Sequence, residues 1–242
     1  VAAELDPRSV QFVLVGDPSI NAFVTGGQNV FIHSGLFTSA DNVNELQGVI
    51  AHELGHIAAG HNVRFGEGAG PASKISLLSL IGAVAAVAAG AGEAGMAILG
   101  LGQSAAMGRF LAFTRDQESR TDQAGAVFLS KAGISGKGSI AFFRKLQGQE
   151  YRLGIPQDNE YARTHPLSST RVNNLLAVYE KDPAWNTPSD RALQARFERV
   201  KGKLVGFVEE PRIVMQRYPE GTNSAPALYA RAYAWHLSLI HI

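Results

Sequence analysis

The amino-acid sequence predicts an α+β fold, mainly α-helical, with a small antiparallel sheet packed by one helix. Three observations predict it. Short β-rich apolar runs fall ahead of Ser34, an apolar stripe at helical spacing begins at Leu46, and several further helical segments follow from Ile75 onward. Val10–Val15 (VQFVLV) is the first strand, ended by the turn Gly16-Asp17-Pro18. Asn21–Thr25 and Val30–His33 read as two short strands around Gly26-Gly27. Asn42 with Glu45 resembles a capping box, and Leu46, Val49, Ile50, Leu54 and Ile57 give the next helix its buried stripe, which frays near Gly60.

From Ile75 to Gly108 the chain is apolar and rich in Ala and Gly, with Glu93 its only charge. Gly90–Gly95 divides it into two pieces of about 15 residues, each short for a bilayer span of about 20. The expected form is a helical hairpin buried in the core or capping the site; interfacial or monotopic membrane contact is the alternative. Arg109–Lys131 is a long helix stopped by Gly133, and Ser135–Glu150 another, with Ile140, Phe143 and Leu146 on one face. Tyr151–Ser169 reads as an ordered polar loop containing His165-Pro166, and Arg171–Glu180 is helical again. Asp182-Pro183 and Thr187-Pro188 mark a boundary, so residues 1–182 form one domain and 183–242 a helical linker. In the second part Ser189 caps a basic amphipathic helix running to about Val208, and Ala225–Trp235 carries small and aromatic residues as in the start of a TPR-like repeat.

The 242 residues carry a net charge of +1, which implies neither nucleic acid nor an anionic membrane through bulk electrostatics. The absence of cysteine excludes disulfides and Cys-ligated zinc. Val1 in place of Met suggests a processed or clipped chain. Leu237–Ile242 reads as a translated sequencing adapter, so a native chain is expected to continue from about Trp235.

Chemistry concentrates in His52-Glu53-Leu54-Gly55-His56. Residues i and i+4 of a helix lie about 40° apart around the axis and about 6 Å along it, so His52 and His56 can share one zinc ion. Glu53 lies about 100° from His52, where a general base for a water belongs. A third ligand is needed. Ala59 and Asn62 stand where an extended His-Glu-x-x-His-x-x-Gly-x-x-His pattern has Gly and His, and His61 falls about 180° from His52 on an ideal helix, which reads as a polar helix end. Asp116, Glu118 and Asp122 are the carboxylate candidates. Glu118 and Asp122 share a face, so one can bind the metal while the other accepts a ligand histidine's free ring N–H.

His52-Glu53-x-x-His56 followed by Glu118-x-x-x-Asp122 resembles the HtpX-type zinc metallopeptidases (gluzincins), most of all the periplasmic beta-barrel assembly-enhancing branch. The likeness extends to Asn21-Ala22-Phe23 with Gly26-Gly27, Ser34-Gly35-Leu36, Arg115-Asp116-Gln117-Glu118, Lys131-Ala132-Gly133 and His165-Pro166-x-x-x-x-Arg171; Thr121 stands where the family usually has Ala.

The resemblance implies a zincin-like domain that holds one Zn2+ through His52, His56 and Glu118, with Asp122 supporting a histidine and Glu53 as the base in peptide-bond hydrolysis. It gives His165 either a gating role at zinc's fourth position or an oxyanion role, and places Arg171 near substrate or loop. It makes Val30, Phe31, Ile32 and His33 an edge strand on which extended polypeptide substrates pair. It further implies the periplasm or envelope of a Gram-negative bacterium, protein quality control, and contact with envelope assembly machinery through the C-terminal helices. A zinc-binding scaffold or chaperone with little proteolysis is the second reading.

Overall fold

The computed structural model describes residues 2–153, 165 and 169–240, with the side chains of 62–68, 149–153 and 239–240 outside the description. The polar loop expected over 151–169 therefore lies outside the described residues, apart from its ends and His165.

Three strands open the chain: β1 (Gln11–Val15), β2 (Ala22–Thr25) and β3 (Asn29–His33). Gly26 and Gly27 turn β2 into β3 with φ of 61° and 96°, a left-handed path that glycine takes without a Cβ clash. β2 and β3 pair antiparallel, with Phe23 opposite Phe31. β1 pairs parallel to β3, with Phe12 opposite Val30. The sheet is thus mixed rather than antiparallel, because the chain leaving β1 crosses before β2 and brings β1 to the far side of β3. Val30–His33 is for the same reason the central strand and not an edge: both of its sides are paired, and β1 and β2 form the edges.

α1 (Ser34–Ser39) leads to α2 (Val43–Ala58). Asn42 caps α2 by accepting from the Glu45 N–H, and Glu45 Oε2 accepts from the Asp41 N–H at 2.9 Å and pairs with Lys145 Nζ at 2.6 Å. The helix ends where Gly60 takes φ 66°. α3 (His61–Ala88) and α4 (Gly92–Lys131) then form a long antiparallel pair turned by Gly90 at φ 80°. The outer part of this pair is not buried: Leu78 is 68% and Leu101 73% exposed. Small residues mark its closest approaches, with Gly95 against Ala83 and Gly102 against Ser79, and most of the large side chains point outward.

The inner half of α4 returns to lie across α2. A Cβ on Gly55 would meet the Thr121 backbone oxygen at 2.9 Å, and one on Gly125 would meet Ala51 at 3.2 Å. α5 (Lys137–Leu153) covers the other side of α2 with buried Phe142, Phe143 and Leu146. α6 (Ser169–Tyr179) adds Val172, Leu175 and Tyr179 to the same core, followed by a 3-10 turn at Pro183–Asn186. α7 (Arg191–Val208) is capped by Asp190 rather than Ser189: its Oδ1 accepts from Ala192 N–H at 2.7 Å. Phe197 of α7 joins the main core and stacks on Phe37, while Val205 packs with Val214 of α8 (Pro211–Arg217) and Ala230 and Ala234 of α9 (Ala225–Ile240) in a second core.

The approach of α5 to α2 is tightest at Gly48, where a Cβ would lie 2.6 Å from Ser139 Cα. Overpacking against backbone costs about 1–3 kcal/mol. Gly48→Ala should lower unfolding stability by that order in a denaturant titration; an unchanged midpoint would show that the contact relaxes freely.

Candidate active site

Four elements converge on one point. α2 supplies His52, Glu53 and His56, α4 supplies Glu118 and Asp122, α6 supplies Arg171, and His165 arrives from the segment ahead of α6. The close helix crossing at Gly55 and Gly125 lets α4 present its carboxylates to rings on α2. All but His56 of these side chains are buried, and His56 is nearly so.

His52 Nε2, His56 Nε2, His165 Nδ1 and the Glu118 carboxylate lie at the corners of a compact tetrahedron. Every edge measures 3.2 or 3.3 Å, those to Glu118 running to Oε2 from His52 and to Oε1 from His56 and His165. The centre of such a figure is about 2.0 Å from each corner, within the zinc–nitrogen and zinc–oxygen range of about 2.0–2.2 Å. Three imidazole nitrogens converging on one buried point with a carboxylate is the donor chemistry of a cation site, and the residues therefore fit zinc.

The surroundings fix the rings. His52 Nδ1 lies 3.0 Å from Asp122 Oδ1, so a metal on Nε2 leaves Nδ1–H to donate to that carboxylate. Arg171 donates through Nε and Nη2 to Asp122 and through Nη1 to Glu118 Oε2, at 2.9 Å for each Nη contact. One guanidinium thus ties both α4 carboxylates together. Burial works against the charge on Glu118, but the His165, His52 and His56 contacts outweigh it and hold the carboxyl well below its usual range. Asp122 is lowered in the same way, with burial overcome by Arg171 and His52. Burial likewise opposes a charge on His52, yet its bonds to Asp122 and Glu118 raise it to about 9. His56, dominated by burial, is pulled down to about 3.

Glu53 is wholly buried, and neither of its carboxylate oxygens has a hydrogen-bond partner among the described residues; Oε1 lies 3.6 Å from His165 Nε2. Burial raises its pKa. A buried carboxylate with free lone pairs beside a cation site is poised to take a proton. His165 Nε2 also reaches the Ala22 carbonyl of β2 at 3.3 Å.

His61 departs from its sequence reading. It is buried, its Nδ1 lies 2.9 Å from His56 Nδ1, and Thr121 Oγ1 lies 3.2 Å from it. The left-handed residue Gly60 breaks the helix and folds His61 back, so an ideal-helix angle carried past Gly60 has no meaning. With a metal on His56 Nε2, Nδ1–H donates and His61 Nδ1 accepts. A glycine directly ahead of a histidine at the end of the motif helix was the signal for it. Thr121, read as a minor departure, packs its Oγ1 beside this pair and donates its hydroxyl to the Gln117 carbonyl at 2.9 Å. Asp116 is turned away into an exposed pair with Arg120, and His33 is tied to Ser19 and Asp17 away from the tetrahedron.

The model of Peptidase family M48 matches residues 1–178 of the chain. The beta-barrel assembly-enhancing protease of Yersinia pestis is 32% identical over 163 residues, 67% of this chain and 33% of that protein. The mitochondrial metalloendopeptidase OMA1 of Bos taurus is 28% identical over 167 residues, 67% of this chain and 31% of that protein. The metalloprotease YcaL of Escherichia coli (strain K12) is 29% identical over 156 residues, 64% of this chain and 57% of that protein. The chain spans about a third of the first two relatives. A match over so much of the chain, joined to a buried tetrahedron of zinc donors, makes this chain a member of the M48 zinc metallopeptidases.

Proposed function

We propose that the chain is a zinc endopeptidase acting on unfolded or misassembled polypeptides, with residues 1–182 as its catalytic domain. The observation that carries this reading is the tetrahedron of His52, His56, Glu118 and His165 with the buried Glu53 carboxylate beside it, which has no hydrogen bond among the described residues. His52, His56 and Glu118 hold the ion. Bound zinc would acidify a water toward neutral pH and polarise the scissile carbonyl. Glu53 accepts the water's proton and passes it to the departing amine, and its buried, raised carboxyl suits both directions of transfer. Asp122 and His61 hold the two α2 rings, and Arg171 holds the two carboxylates.

His165 is assigned as the gate. It fills the corner of the tetrahedron that a catalytic site leaves to solvent or substrate, and it also caps the Ala22 carbonyl. The His33 N–H donates to Asn21 O, and strand alternation then turns the N–H and C=O groups of Ala22 and Val24 to the outer edge of β2. An extended substrate pairs there, on β2, and His165 must leave first. Recognition through backbone gives loose sequence specificity, with selection for chains that can enter a buried site.

Placement in a Gram-negative periplasm or envelope, in protein quality control, is supported by the likeness to relatives named for beta-barrel assembly enhancement. Residues 183–242 serve as a TPR-like docking region for assembly machinery, a reading supported by the close α7–α9 pair, where Gly202 and Gly206 abut Pro226 and Ala230. A zinc-binding scaffold is the second reading, favoured by the closed position of His165.

Glu53→Gln should retain one zinc per chain and lose casein cleavage by about 10²-fold or more; wild-type turnover would exclude Glu53 as the base. His165→Ala should raise basal cleavage several-fold, whereas a loss of activity with zinc retained would make it an oxyanion donor instead of a gate. His61→Ala should weaken zinc binding by about 10–100-fold in a chelator competition, and unchanged affinity would reduce His61 to a packing residue.

A further inference from the structure

We propose that the outer part of the α3–α4 hairpin, residues 75–108, inserts into a lipid bilayer. This inference stands independently of the catalytic reading.

The hairpin is inverted relative to a soluble one. Its helix–helix seam closes at small residues: a Cβ on Gly102 would lie 1.9 Å from Ser79 Cβ, and one on Gly95 would lie 2.8 Å from the Ala83 oxygen, while Val87 and Ile98 rest on Gly95 and Gly82. Its large apolar side chains face out, with Leu77, Leu78, Ile81 and Val84 on α3 and Met96 and Leu101 on α4 all more than half exposed. Small residues inside and large apolar residues outside is the arrangement of helices packed in lipid, where close backbone approach replaces hydrophobic burial. Water gives no reason for it. Two of its serines bond within the pair: Ser76 Oγ donates to Gln103 Oε1 at 3.3 Å and Ser79 Oγ to the Ser76 carbonyl at 2.8 Å.

Burial and charge agree. Only 11% of the apolar window in Ala69–Ala88 is buried, which removes the reading of a soluble core helix, and beyond Lys74 the helix runs on for about 21 Å, enough to enter the apolar layer deeply. The hairpin lies between α2 and the returning half of α4, so it is not a leader. From Ile75 to Gly108 the only charge is Glu93, at the turn, while Lys74 and Arg109 flank the base. Cations at the base can snorkel to the near interface, and Glu93 sits at the turn, about 24 Å along α4 from Arg109, with the apolar faces between them.

A bilayer fits better than a protein groove. Between Ala94 and Arg109 only Gly95, Leu99, Gly102 and Ala106 are covered, and the rest of the circumference is open. A protein groove would cover one face, whereas lipid covers all of them. The same α4 carries Glu118, nine residues beyond Arg109 and so about 14 Å along the helix. Insertion would hold the site at that height over the membrane surface, toward polypeptides lying on or leaving it.

The test is flotation of the full chain with phosphatidylcholine vesicles, alone and with a minor fraction of phosphatidylglycerol. The chain should float with both, and stay bound in 1 M salt. Because the chain has no cysteine, Leu78→Cys and, as a control on exposed α7, Glu198→Cys can carry an environment-sensitive fluorophore. The first label should shift to the blue with vesicles and the second should not. Leu78→Asp with Leu101→Asp should cut the floated fraction about tenfold or more, with helix content unchanged. The proposal is overturned by failure to float, by binding only to anionic vesicles with release in salt, or by a discrete oligomer whose Leu78 label is already blue-shifted without lipid.

Discussion

Three buried imidazole nitrogens and a carboxylate within 3.3 Å of one another are held together in this chain against their own electrostatics. Ring lone pairs aimed at one point repel unless a cation lies between them, and the interior offers little screening. The protein meets this by rigidity in the frame: Gly55 and Gly125 bring α2 and α4 to backbone contact, and Arg171 clamps Glu118 and Asp122 from the far side. Each ring is then set by a partner on its second nitrogen, Asp122 for His52, His61 for His56 and the Ala22 carbonyl for His165. The sheet, the cap at Asn42 and the packing of α5 serve this frame by fixing where α2 starts and how it lies.

Closure at His165 and the free edge of β2 are two aspects of one arrangement. The ring that fills the fourth corner also bonds the strand on which a substrate would pair. In the proposed mechanism, moving His165 away from the fourth corner would also uncover the Ala22 carbonyl on the outer edge of β2. On the proposed gating role, the domain is closed while His165 holds the fourth corner, and the α3–α4 hairpin is continuous through α4 with the helix that carries Glu118.

Local rules made much of this legible. His52 and His56 are i, i+4 on a capped amphipathic helix, and Glu118 and Asp122 share a face on another, so helical periodicity alone aligns each pair. What periodicity could not supply is the relation between elements. β1 pairs parallel on the far side of β3, which makes Val30–His33 central, and no short-range signal distinguishes that from an antiparallel meander. His61 was misread because one left-handed glycine redirects the chain. The apolar stretch after Ile75 reads as a core or capping hairpin with membrane contact as the alternative, and composition alone does not show that small residues mark its closest approaches while most large ones face out.

X-ray absorption at the zinc edge of the loaded protein tests the central claim most directly. One zinc per chain with four nitrogen or oxygen neighbours near about 2.0 Å and multiple scattering from three imidazoles is the expected result. Fewer than two imidazoles, or a six-coordinate shell of light oxygen donors, would contradict the assigned centre.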